Sequence, residues 1–165
     1  MRFLRFSFLA LVFVAPAFRV LAAEPILKIV SPEKTLTFTA AEFATLPQTE
    51  LKVTDPHDAR KRTYAGVSMR ELLTRVGAPL GGKLRGPALM TGVIVRCKDS
   101  YAVFFSLAEF DENFSTRTIL LADQEDGQML PPSAAPLRIV TPGDKRGARS
   151  ARQVTSIEIV SLTKP

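Results

Sequence analysis

Tyr64-Ala65-Gly66-Val67-Ser68-Met69-Arg70-Glu71-Leu72-Leu73 holds the clearest element boundary in the chain. Ser68 followed three positions later by Glu71 is a capping box, in which the hydroxyl accepts a first-turn N–H and the carboxylate reaches back to the cap. Met69, Leu72, Leu73 and Val76 then recur at helical spacing, and Gly77 supplies the stop. The same device opens two shorter segments. Thr39-Ala40-Ala41-Glu42 leads into Phe43 and Leu46 before Pro47 ends it, and Ser106-Leu107-Ala108-Glu109 leads into Phe110.

Around these helix starts lie short runs of strand composition. Ile26 to Val30 and Thr35 to Phe38 read as a hairpin about Ser31-Pro32-Glu33-Lys34, and Glu50 to Val53 as a further strand. Thr91 to Arg96 and Tyr101 to Phe105 flank a tight turn at Lys98-Asp99-Ser100; Arg117 to Leu121, Leu137 to Thr141 and Val154 to Val160 complete the set. Asp55 to Thr63 and Pro79 to Pro87 read as surface loops. Many short strands with brief helices predict a mixed α/β (α+β) fold in one compact domain.

The N-terminus has the layout of an export signal: Arg2 and Arg5, an apolar run from Phe8 to Ala17, and Val20-Leu21-Ala22 as a small-residue cleavage pattern. The run is short for a membrane span. Cleavage before Ala23 is expected, with Glu24 as the alternative first residue, so residues 1–22 are the signal and 23–165 the working domain. No stable membrane span would then remain, and the expected location is the periplasm. Of the formal net charge of +6, Arg2, Arg5 and Arg19 carry half. What is left is too modest to argue for nucleic acid, and interleaved aromatics are missing from the basic run. A lone cysteine, Cys97, excludes an internal disulfide.

No enzymatic motif stands out by spacing. The one histidine, His57, lies in Asp55-Pro56-His57-Asp58; a polar loop is the simpler reading, since zinc would need ligands that spacing does not identify. Cys97 alternates with Val93 and Val95, which makes it a buried structural thiol; the competing reading is a reactive thiolate tuned by Arg96 and Lys98. No metal site is expected. The densest chemistry is the basic run Arg138 to Arg152. Arg138, Lys145, Arg146, Arg149 and Arg152 oppose only Asp144 within it, and Gly143, Gly147 and Ser150 lie among them. Glycines let a backbone approach an anion, arginines clamp phosphate bidentately and serine donates, so these residues are the candidate anion site. A solvated basic loop is the alternative. Arg60-Lys61-Arg62 is a second basic patch.

The order of segments resembles the oxidoreductase molybdopterin-binding domain of the sulfite oxidase type, in its small exported form. The resemblance runs through Phe43-Ala44-Thr45-Leu46-Pro47, the Tyr64–Leu73 segment, Asp99 to Leu107, Leu130-Pro131-Pro132, Ala135 to Gly143, and Gly147-Ala148-Arg149-Ser150-Ala151-Arg152-Gln153-Val154. It implies that fold, and a molybdopterin-type cofactor whose phosphate suits Arg149, Ser150 and Arg152. It also implies a cysteine ligand to the metal ahead of the aromatic-Gly-Val segment. Glu50 to Thr63 contains no cysteine, Cys97 falls too late in the order, and the family's glycine before Pro-Leu-Arg is replaced by Ala134 or Ala135. The expected function is therefore a non-catalytic or reduced module that binds an anionic small molecule or a periplasmic protein partner, with no cofactor. The alternative is a periplasmic molybdopterin-dependent oxidoreductase with an atypical metal site.

Overall fold

A computed structural model describes residues 23–55 and 58–163. The expected signal at 1–22 and His57 lie outside them. Among the described residues, ten strands form two sheets. The first contains β1 (Leu27–Val30), β2 (Thr35–Phe38), β5 (Thr91–Cys97), β6 (Ala102–Ser106) and β10 (Val154–Ser161), in the order β2-β1-β10-β5-β6. Only β1 and β10 run parallel in it. The second contains β3 (Gln48–Thr54), β4 (Lys61–Ser68), β7 (Leu120–Glu125), β8 (Gln128–Met129) and β9 (Arg138–Val140), with β8 and β9 both pairing with β7.

The two α-helices among the described residues are brief: α1 (Ala40–Ala44) and α2 (Met69–Arg75). The mixed α/β expectation is thus corrected toward a sheet-dominated domain. The caps form as the sequence indicates. Thr39 and Glu42 make the full reciprocal box, and Ser68 Oγ accepts from Glu71 N–H. Ser106 and Glu109 make a second full box, but it opens the 3-10 turn Leu107–Phe110 rather than an α-helix.

The strand expectations need two corrections. Lys61–Ser68, read in part as loop, is the central strand β4, flanked by β3 and β7. Its basic start hides the strand signal, because the charge of Arg62 is met by Asp55 and Asp58 of the preceding loop and Glu125 of β7. The strand placed at Arg117 to Leu121 begins only at Leu120, where pairing with Ser68 starts, and Thr116 to Thr118 are exposed.

Gly66 is required by packing. A Cβ there would lie 2.2 Å from the Leu121 carbonyl oxygen and 2.5 Å from the Ala122 Cα, so only glycine lets β4 approach β7 beside the register shift at Ala65/Gly66.

Sheet alternation then divides the interior. Val67, Leu121 and Ile139 enter the main core with Leu27, Ile29, Val93, Val95 and Ile157 of the first sheet and Met69, Leu72 and Leu73 of α2. Tyr64, Leu120 and Val140 build a smaller cluster with Leu130 and Ala134.

The chain ahead of β10 stitches the two sheets together. Ile139 N–H donates to the Ala151 carbonyl, Val154 N–H to that of Leu137, Lys98 N–H to that of Gln153, and Gln153 N–H to that of Ala134. This threading carries Ser150 to Gln153 along the seam where the site lies. No helix among the described residues is long and apolar enough to cross a membrane.

Candidate functional site

At the seam, two adjoining cavities of about 410 and 320 Å³ share Asp55, Ser133, Arg138 and Arg152. The larger is walled further by Asp99, Tyr101 and, Arg149 apart, the chain from Gly147 to Gln153; the smaller by Asp58, Arg62 and Glu125. The start of the 55–60 loop and the basic segment therefore converge on one cleft.

Arg138 forms its floor. The residue is 7% exposed, donates to Tyr64 Oη at 2.7 Å and to Asp55 Oδ2 at 3.2 Å, and stacks its guanidinium 4.9 Å from the Tyr64 ring centre. Its Nε–H is buried without a hydrogen-bond partner among the described residues. Arg62 joins the same carboxylate at 3.1 Å, meets Glu125 at 2.8 Å, and pairs with Asp58. The two basic patches of the sequence are thus neighbours, joined through Asp55. The Arg62 hydrogen bond, aided by the Arg60 N–H, holds the Asp58 carboxyl far below the usual carboxylate range. Burial, only partly offset by Arg138, pushes the Tyr64 phenol up to about 12, so it remains a neutral donor and acceptor.

The six sequence candidates separate on two sides of one segment. Arg138, Ser150 and Arg152 line the cleft. Ser150 is buried and shares a 2.8 Å hydrogen bond with Thr141 Oγ1. Arg152 is exposed and has no ion pair or side-chain hydrogen bond among the described residues.

Arg149 turns away from the cleft. It donates through Nε and Nη2 to Asp144, both at 2.9 Å, and through Nη1 to Glu109 at 2.7 Å, with its guanidinium 5.0 Å from the Phe105 ring centre. Arg117 closes the array on the same two carboxylates, at 3.3 Å from Asp144 and 3.6 Å from Glu109. Lys145 and Arg146 stand on the exposed turn before Gly147 and line neither cavity.

The sequence reading missed the floor carboxylates Asp55 and Glu125, and it missed Tyr101. Tyr101 Oη donates to the Ala148 carbonyl at 2.9 Å, strapping the 3-10 turn Gly147–Arg149 to the β5–β6 turn. An exposed tyrosine next to a tight turn was the available signal. Cys97 is buried at 6% exposure, pairs in register with Val154 and lines neither cavity; burial, with Asp99 adding to it, raises its thiol pKa. Among the described residues no three of His, Cys, Asp and Glu converge as metal ligands.

The sequence profile of the oxidoreductase molybdopterin-binding domain matches residues 48–165, well over half of the chain. The protein belongs to that family. No curated protein matches the chain. The matched span excludes β1 and β2, yet Leu27 and Ile29 sit in the main core and β1 pairs with β10, so the folded unit extends ahead of it.

The cleft suits one end of the family's cofactor. A phosphate there would meet Arg152 and the exposed backbone at Gly147 and Ala148. The metal end does not fit. A soft thiolate donor is absent from Glu50 to Thr63, Asp55 is held there by two arginines, and the Cys97 sulfur is packed in the core.

Proposed function

We propose that the mature protein is an exported binding module of the molybdopterin-binding family, which holds a phosphate-bearing organic anion in the Arg138–Arg152 cleft without thiolate-ligated molybdenum. The observation that carries this reading is the pairing of an uncommitted arginine at the rim with a charge-locked arginine at the floor, in a cleft that no thiol reaches. The Asp55 and Tyr64 contacts hold the Arg138 guanidinium in place before any ligand arrives, so little side-chain freedom is lost there on binding. Arg152 is long, has no ion pair among the described residues, and closes over the anion as the mobile half of the clamp. The export pattern at residues 1–22 supports a periplasmic location.

Metal and pterin analysis of protein purified from the periplasm of a cofactor-producing host tests the reading. Substoichiometric molybdenum is expected. Molybdenum and pterin at one per chain, together with redox turnover, would sink it in favour of a periplasmic oxidoreductase with an atypical metal site, a reading that the family match alone supports. A phosphorylated pterin titrated into the metal-free protein should bind, and Arg152→Ala should weaken it at least tenfold, the scale of one charge-assisted hydrogen bond.

A further inference from the structure

The other end of the second sheet holds a cavity of about 440 Å³ that shares no residue with the cleft described above. Thr49 at the start of β3, Arg70 at the start of α2, and the segment Ser115–Thr118 contribute its polar wall. Phe110 and Ile119, both buried, supply an apolar back.

Hydroxyls dominate this wall, and each can turn its proton toward an incoming acceptor. The Thr49, Thr116 and Thr118 hydroxyls make no hydrogen bond among the described residues. Ser115 Oγ already accepts from Arg117 N–H at 3.2 Å, which leaves its own proton to give outward. Arg70 adds a positive charge; Arg117 also lines the wall, but its guanidinium is already engaged by Asp144 and Glu109. The single carboxylate in the wall, Glu112, sits on Arg70 with 67% of its side chain exposed. An exposed pair of that kind is weak and screened by salt, so an incoming anion can displace Glu112 from Arg70.

We infer that this cavity is a second binding site, for a tetrahedral oxyanion: phosphate or sulfate, free or carried as a monoester. Hydroxyls and the Arg70 guanidinium line the cavity from a strand, a helix start and an irregular segment, a disposition that suits an acceptor with oxygens pointing several ways. The apolar back lowers the local dielectric and strengthens each charge-assisted contact. The inference stands independently of the first cleft.

Backbone NMR of the mature chain, titrated with inorganic phosphate and with sulfate, tests it. Amide shifts should concentrate at Arg70 and Ser115 to Ile119, with saturation. Arg70→Gln should weaken binding at least tenfold, the double variant Thr116→Val/Thr118→Val should do likewise, and Glu112→Gln should tighten it several-fold by releasing Arg70. All three changes lie on the surface, and circular dichroism would confirm that each variant is folded. A phenyl phosphate arm separates the sources: tighter binding than inorganic phosphate identifies a monoester ligand, and equal or weaker binding the free ion. Shifts confined to Gly147–Gln153, or an Arg70→Gln affinity equal to wild type, would overturn the site.

Discussion

Arg149 and Arg152 stand three residues apart in one basic run and have opposite lives. Arg149 is clasped by Asp144 and Glu109 and lies over Phe105, while Arg152 faces the open cleft with no ion pair among the described residues. The difference teaches that a cluster of positive charge in a sequence is not yet a binding site. What decides is which cations the fold supplies with carboxylates. Glu109 shows how economical that supply is: Oε1 completes the capping box with Ser106 N–H, and Oε2 takes Arg149 Nη1.

The contrast can be broken at three points. The largest effect is expected at Arg138, whose removal strips Asp55 and Tyr64 of a buried partner. Arg138→Met should cost about 3 kcal/mol, since losing one member of a buried ionic group leaves the other inadequately solvated, though Asp55 keeps Arg62. Urea denaturation reads this, and a loss under about 1 kcal/mol would mean that the floor is effectively solvated.

The sharper test sets the two arginines side by side. Arg149→Ala should destabilise the fold by about 1–2 kcal/mol, because its contacts are partly buried and charge-assisted, whereas Arg152→Ala should stay within about 0.5 kcal/mol of wild type. Their effects on ligand affinity should rank in reverse order. Equal stability losses for both would erase the distinction between a clasped and an open face.

The smallest effect is in acid. Asp144 has a lowered pKa, first through its hydrogen bond from Arg149, with Arg117 adding to it. Because the folded value lies below the unfolded one, its contribution to stability is complete above the unfolded pKa of about 4 and disappears as pH falls through the folded value. The stability gap between wild type and Arg149→Ala should therefore narrow as pH drops from about 5 toward 2. Chemical denaturation across that range measures it, and a gap that stays constant would show that Asp144 is not the titrating partner.

How much of this was legible beforehand varied with the range of the interaction. Thr39, Ser68 and Ser106 announced their caps because capping joins residues three positions apart. The hairpins at Ser31–Lys34 and Lys98–Ser100 were legible for the same reason, and the run of family segments identified the domain. Strand β4 was obscured because Lys61 and Arg62 look like loop, and only the fold brings Asp55, Asp58 and Glu125 onto Arg62.

By itself, then, the sequence determined the local punctuation, the family, the buried character of Cys97 and the stretch in which an anion site should be sought. The tertiary structure alone decided which arginines in that stretch face the cleft. Arg149 finds Glu109 forty residues away in sequence, and Arg138 finds Asp55 eighty-three away. Such pairings depend on how two sheets are stitched at Ala151 and Gln153, and no pattern of neighbouring residues encodes them.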